Sequence, residues 1–379
     1  MRYFDNAATT PVRAEVLEAM MPYLTRWFGN PSSHHTVGEA AASALEDARA
    51  RVAGQLGVRR SDVVFTSGGT EANNLAVKGI AIAAQASRGA RRVVTTPLEH
   101  ESILQSADYL RRIHGFTIDL LPVDAAGRVD PAAVARAVTD DTALVSIGYA
   151  NNEIGTVQDA AALVAAARHR GVPLHLDGVQ AAGWLPLRDT GADALSIAGH
   201  KLGAPKGTGV LAVRGRIPLE PLMHGGGQER GRRSGTEDVA GAVGIATALE
   251  LAETERAESA ARVGGLRDAF VARVLATVPR AVLTGHPVHR LPGTASFVFP
   301  GTSGEAILLE LERRGVVSSS GSACAAGSDQ PSHVLTAIGI GDDDARTAVR
   351  FTFPHDLHTP LDDVADALAA SVAVVGSAA

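Results

Sequence analysis

The sequence predicts an α/β fold: a large domain on a mainly parallel sheet, joined to a smaller α+β unit. Three observations carry this expectation. From about residue 15 to 215, helical patterns alternate with short apolar runs, as βαβ units do. Polar and glycine-rich turns follow those runs, where an open α/β sheet exposes the carboxyl ends of its strands. From Val239 to Val278 the alternation gives way to one long helix-favouring stretch, after which short strands and helices resume.

The elements follow from local chemistry. Gly38–Gln55 has helical character and stops at Gly57, a residue suited to a left-handed C-cap. Val63–Thr66 is an apolar strand run, followed by Ser67-Gly68-Gly69-Thr70 and a helical stretch to about Ala86. Val93–Thr96 is the next strand and ends at Pro97-Leu98-Glu99-His100. Asp130 caps a short helix with Pro131 in its first position. Ala143–Tyr149 reads as a strand running into Asn151-Asn152-Glu153, Gln158–Arg170 as a helix ending at Gly171, and Pro173–Leu176 as a strand ending at Asp177. The run Ala194–Ala198 ends in Gly199-His200-Lys201 and a Gly/Pro-rich turn. In the long helical stretch Gly264-Gly265 marks an expected bend. Beyond it come strands at Ala295–Phe299 and Ala348–Phe353 around a helix Glu305–Arg314 that ends at Gly315. A last amphipathic helix from about Pro360 places Leu361, Val364, Leu368 and Val372 on one face. The expected division is a large domain over 12–250 and a small one from 1–11 and 251–379.

Composition narrows the function classes. With 45% hydrophobic residues in 379, the chain can bury a large core. A net charge of −6 gives no general pull toward nucleic acid or acidic membranes. One cysteine excludes an internal disulfide and an all-cysteine metal site, and the 13 histidines form no metal-binding spacing. No run approaches the roughly 18 apolar residues of a membrane span, and the first residues lack the apolar core of a signal peptide, so a cytoplasmic protein is expected.

Chemistry is concentrated at the strand ends: Thr70, His100, Asn152, Asp177 with Gln180, and His200-Lys201. The Gly68-Gly69-Thr70 turn opening a helix suits an anion. It lacks the glycine spacing of dinucleotide folds, and the chain has no phosphate-loop Gly-Lys-Ser/Thr. Lys201 is either a surface lysine or an amine in a desolvated crevice, able to form a Schiff base with an aldehyde. Asp177, ending a buried strand, either caps the next segment or meets a cationic partner such as a pyridinium nitrogen. Cys324 lies in Ser318-Ser319-Ser320-Gly321-Ser322-Ala323-Cys324-Ala325-Ala326-Gly327, a run without the bulk to build a core, which suits a nucleophile on an arm. Arg350, in Ala348–Phe353, faces solvent or clamps a carboxylate, and the strand pattern favours the first.

These residues together resemble the cysteine desulfurases of the class V aminotransferase group. The likeness spans nearly the whole chain. It runs through Tyr3–Thr10, Gly29–Ser33, Phe65–Glu71, Asn151–Thr156, Gly199–Lys201, Gly225–Glu229, Arg233–Thr236 and Ser320–Cys324. It implies a pyridoxal 5'-phosphate enzyme of fold type I, like aspartate aminotransferase, with the cysteine loop (318–328) on the small domain. By the resemblance Lys201 is the Schiff-base lysine, His100 stacks on the ring, Asp177 pairs with the ring nitrogen and Gln180 meets the phenolic oxygen. Gly69, Thr70 and His200 hold the phosphate, aided by Thr236 from the second subunit of a homodimer. Asn152 and Arg350 hold the carboxylate of L-cysteine, and Cys324 takes its sulfur as a persulfide, releasing alanine. The resemblance further implies a sulfur acceptor such as an iron–sulfur scaffold protein, tRNA thiolation and DNA phosphorothioation being other destinations, and in some relatives a loop cysteine that ligates a cluster. No direct contact with nucleic acid or membrane is expected. Departures are Ala198, where many relatives have a phosphate-binding Ser, and Phe351-Thr352-Phe353-Pro354, where a Ser and a Gly are more usual. A selenocysteine lyase, another class V enzyme or a non-catalytic scaffold partner are the alternative functions.

Overall fold

A computed structural model describes residues 1–321 and 330–378. Its strands are β1 (Arg2–Tyr3), β2 (Val63–Thr66), β3 (Arg92–Thr95), β4 (Thr117–Leu120), β5 (Thr142–Gly148), β6 (Leu174–Asp177), β7 (Ala194–Ala198), β8 (Gly209–Val213), β9 (Val282–Leu283), β10 (Thr294–Val298), β11 (Val316–Val317) and β12 (Val349–Thr352). The helices are α1 (Ala14–Thr25), α2 (Thr36–Leu56), α3 (Gly69–Asn74), α4 (Ile80–Arg88), α5 (Glu101–His114), α6 (Pro131–Ala137), α7 (Ala160–Arg168), α8 (Val239–Thr277), α9 (Gly304–Arg313), α10 (His333–Ala337), α11 (Asp342–Ala345) and α12 (Asp362–Ala378). A π-helical stretch, Leu75–Gly79, joins α3 to α4.

The main sheet has the order β2-β8-β7-β6-β5-β3-β4, with β8 antiparallel to both its neighbours and the other pairings parallel. This is the α/β architecture expected. The strands β5 to β8 are buried almost throughout, because helices cover both faces of the sheet and leave no polar side to alternate with. One face packs on α2, α6, α7 and the first half of α8; the other packs on α3, α4 and α5. A second apolar core surrounds the three-stranded sheet β12-β10-β9 and contains six of the nine phenylalanines. Phe270 meets Phe297, Phe351 and Phe353 edge-on at 5.1 to 6.1 Å, the geometry that aromatic quadrupoles favour.

Two elements differ from expectation. The bend at Gly264-Gly265 is absent, and α8 runs unbroken for 39 residues, about 58 Å at 1.5 Å per residue. Each glycine costs a helix about 1 kcal/mol, and the buried Val263, Arg267 and Phe270 on either side outweigh it. The helix expected over Gln158–Arg170 is confined to Ala160–Arg168, because Asp159 caps it by accepting from Ala162 N. Leu361, Val364, Leu368 and Val372 are all buried, as their shared face predicts. Among the described residues, no helix is long and apolar enough to cross a membrane.

The N-terminal strand segment ties the two sheets together. β1 pairs with β11, and Phe4 sits in the second core. Asn6 Nδ2 donates to Thr352 O (2.7 Å) and Ala7 N to Thr352 Oγ1 (2.8 Å). Thr10 then donates from N and Oγ1 to His200 O (3.0 and 2.9 Å), and Arg13 N to Gly203 O.

Under the strand ends, a fully buried histidine bridges three strands. His175 of β6 is hydrogen-bonded to Ser146 of β5 (2.9 Å) and Ser196 of β7 (2.8 Å). Burial pushes its pKa down to about 4, opposed by the charge of Asp177. The folded state therefore binds this proton less readily than the unfolded chain, so stability is full above about pH 6.5 and falls as the pH drops toward 4. We expect urea unfolding to lose about 2–3 kcal/mol from this group between pH 7 and pH 4.5, and His175→Asn to flatten that part of the profile. An unchanged slope in the variant would contradict the assignment.

Candidate active site

The polar strand ends converge because parallel strands deliver their carboxyl ends to one edge. His100 follows β3, Asn152 follows β5, Asp177 ends β6 and Lys201 follows β7. The chain reverses its direction of travel across the sheet between β3 and β5, the place where open α/β sheets hold ligands. A cavity of about 620 Å³ lies there, lined by Gly69, Thr70, His100, Asn152, Asp177, Gln180, His200, Lys201 and Arg350. Of the residues singled out from sequence, Thr236 does not line it. It lines a separate cavity with Glu229 and Arg233. Cys324 lies outside the described residues, and Gly321, the last described residue before it, is part of the wall.

Asp177 is nearly buried, and both its oxygens are engaged. Oδ1 accepts from Val179 N (2.9 Å), so its capping role is real. Oδ2 accepts from Asn73 Nδ2 (2.7 Å). The same Asn73 amide donates to Ser102 Oγ (2.9 Å), and Ser102 Oγ lies 2.8 Å from His100 Nδ1. His100 is the N-cap of α5, where Nδ1 also accepts from Ser102 N at 3.1 Å. With Nδ1 accepting twice, the proton of the neutral ring sits on Nε2. Asp177 and His100 are thus two ends of one hydrogen-bonded chain.

Lys201 Nζ donates to Ala7 O and to Ala8 O (2.7 Å), which holds the amine against the N-terminal segment. Gln180 Nε2 donates to the same Ala7 O (3.1 Å). His200 Nδ1 is 3.2 Å from Thr9 Oγ1, and burial, helped by the charges of Lys201 and Lys206, pushes its pKa down to about 4. A neutral His200 therefore lines the same cavity as the helix start at Thr70.

Arg350 is buried, which overturns the solvent-facing reading that the strand pattern favoured. Nη2 donates to Asp5 Oδ1 (2.6 Å), and Nη1 to Asn152 O (2.9 Å) and Gly321 O (3.0 Å). Its Nε has no partner among the described residues. The same guanidinium therefore joins the N-terminal segment, the turn after β5 and Gly321 in the first part of the cysteine loop.

Three residues of the site carry no signal in the sequence. Asn73, Ser102 and Glu99 are buried; Asn73 reaches Ser102 and Asp177 on other elements, while Glu99 meets Thr96 of its own turn. Only Asn73's place one turn after Thr70 hints at its role.

The residues present fit a flat anionic ligand bearing an aldehyde. Lys201 supplies an amine, Asp177 a carboxylate for a ring nitrogen, and Thr70 with His200 a polar end for a phosphate. Asn73 Oδ1 is buried without a partner among the described residues, next to that carboxylate. Gly69 brings the helix start close: a Cβ there would lie 2.9 Å from Val179 Cγ2 and 3.2 Å from Ala198 Cβ.

Comparison with known proteins agrees with this geometry. The aminotransferase class-V family matches residues 2–360. The chain is 43% identical to the cysteine desulfurase IscS of Dictyoglomus turgidum, covering 96% of this chain and 91% of that one. It is 46% identical to the IscS-like cysteine desulfurase of Mycobacterium tuberculosis, covering 94% and 92%. The solved structure of a NifS-like protein superposes with a TM-score of 0.90 at 35% identity, covering both chains fully.

The network gives a stability prediction. Asn73→Ala leaves Asp177 Oδ2 and Ser102 Oγ without their shared donor, at a cost of about 1–3 kcal/mol. Denaturant unfolding should read that loss, and a change below about 0.5 kcal/mol, the scatter of neutral surface changes, would count against the network.

Proposed function

The chain belongs to the class-V aminotransferase family, within it to the cysteine desulfurases, and on that premise we propose how its residues turn L-cysteine into L-alanine. Its cofactor is pyridoxal phosphate. When bound, that group supplies an electron sink which stabilises negative charge at the Cα of an amino acid. Lys201 Nζ is the amine that holds the aldehyde. Asp177 keeps the ring nitrogen protonated, and Gln180 meets the phenolic oxygen. Gly69, Thr70 and the neutral His200 hold the phosphate, with Thr236 reaching it from a second subunit. His100 covers the ring and moves protons at Nε2, its Nδ1 being engaged by Ser102.

Asn152 and Arg350, both in the cavity wall, take the substrate carboxylate. The thiolate of Cys324 attacks the substrate Sγ; the Sγ–Sγ bond forms as the Cβ–Sγ bond breaks. One thiol and one L-cysteine become one enzyme persulfide and one L-alanine, with no outside oxidant or reductant. The observation that supports this reading most is that six segments distant in sequence bring Lys201, Asp177, His100, Asn152 and Arg350 to one cavity, with Gly321 in its wall.

A second copy of the chain is the expected partner. Leu17, Met21 and Leu24 form an exposed stripe on α1, with the 72%-exposed Phe28 just beyond it, an apolar surface of the kind a homodimer covers. A sulfur-acceptor protein such as an iron–sulfur scaffold in the cytoplasm is the destination we assign to the persulfide.

The test is alanine formation from L-cysteine with a thiol reductant, comparing the parent with Cys324→Ser. The proposal expects alanine from the parent and a loss of about 100-fold or more in the variant, the scale on which removal of a covalent nucleophile acts. Alanine from both at equal rate would mean direct elimination and end the persulfide route.

A further inference from the structure

Glu99 lines the cofactor cavity and has no task in the reaction above. It is 3% exposed, in the turn between β3 and α5. Oε1 accepts one hydrogen bond, from Thr96 Oγ1 at 2.7 Å, while Oε2 has no partner among the described residues. That oxygen lies against Gly148, 3.3 Å from where a Cβ would stand there, and the Gly148 amide gives it a weak backbone interaction. Gly148 is the register partner of Asp177 across the β5–β6 pair. The cavity floor therefore holds two carboxyl groups separated by one glycine.

Two buried carboxyls so placed do not both ionise, and the one with more donors keeps its charge. Among the described residues, Asp177 has two donors at 2.7 and 2.9 Å, whereas Glu99 has one at such a distance, Thr96, with the Gly148 amide adding a weaker pull toward the charged form. We propose that Glu99 is a positioning residue which, acting through Asp177 and His100, sets the charge at the cavity floor by carrying the proton that leaves Asp177 ionised. A carboxylate at 99 would place a second negative charge beside the ring-nitrogen partner, whereas the acid leaves one. The idea rests on the cavity being the cofactor site.

The groups facing Glu99 are few. Asp177 faces it from β6, and His100 is its neighbour in sequence. From α10, His333 Nε2 lies 3.1 Å from the Glu99 carbonyl oxygen, with Glu101 3.9 Å from His333 Nδ1. Glu153 is committed to Ser332 at the start of the same helix (2.6 Å). Burial pushes the Glu99 carboxyl up to about 8; the Thr96 hydrogen bond opposes this and the Asp177 charge adds to it.

The experiment is a titration of the holoenzyme's visible absorption between pH 6 and 9.5, without substrate. The parent should show a step near pH 8 that Glu99→Gln lacks. In Thr96→Val the lost hydrogen bond no longer favours the charged form, and the step should move to higher pH. A Glu99→Gln profile superimposable on the parent's would overturn the proposal. If Glu99→Gln does not retain cofactor, the Thr96→Val titration decides, and an unmoved step there overturns it equally. Failure of the desulfurase reading would appear separately, as no alanine from the parent protein with L-cysteine.

Discussion

A carboxylate at the end of a buried strand is the constraint around which this molecule is arranged. Asp177 terminates β6 between two neighbours that are themselves buried, so its charge can persist only if donors are delivered to it. One donor is local, the amide of Val179. The other, Asn73, comes from a helix 104 residues earlier in the chain. That requirement fixes where α3 must stand, and with it the Gly68-Gly69-Thr70 helix start. It also fixes His100, because Asn73 and His100 share Ser102. Two residues below Asp177, His175 binds β5 and β7 through Ser146 and Ser196. The floor of the site is thus rigid by virtue of satisfied polar groups as well as packing.

The wall opposite this floor belongs to the other sheet. The N-terminal segment leaves the phenylalanine core at Phe4, crosses to the main sheet, and presents the Ala7 and Ala8 carbonyls to Lys201. Arg350, from the middle of β12, holds that segment through Asp5 and holds Gly321 through its carbonyl. The Lys201 amine, the Arg350 guanidinium and Gly321 are therefore tied together by hydrogen bonds through one segment. The small sheet serves the chemistry by supplying this guanidinium from a buried strand, where its orientation is fixed by neighbours rather than by solvent.

The sequence made the strand ends legible because parallel strands announce themselves as apolar runs, and whatever polar residue follows them reaches the ligand edge. His100, Asn152, Asp177 and Lys201 were all readable in this way, and all four line one cavity. What could not be read was any relation requiring two distant segments. Asn73 and Ser102 look like ordinary helix residues, and Glu99 looks like a turn residue beside a histidine. Only tertiary packing makes them donors, or leaves a carboxyl bare. Arg350 misled for a related reason: an arginine in a strand usually faces water, and nothing local reveals the Asp5 carboxylate 345 residues away. The π-helical stretch at Leu75–Gly79 had no sequence mark either; it ends at Gly79, which packs so tightly on Glu220 O that a Cβ would lie 2.7 Å away.

On the proposed reading, the Asp177 carboxylate, with its donors Val179 N and Asn73 Nδ2, gives the bound cofactor its electron-accepting power. The direct measurement is the rate of alanine formation from L-cysteine by Asp177→Asn, with cofactor occupancy determined in the same sample. Asn keeps the shape but removes the charge. The account predicts a rate lower by about 100-fold or more per occupied site, as for removal of a preorganised electrostatic group. A parent-like rate at equal occupancy would contradict it.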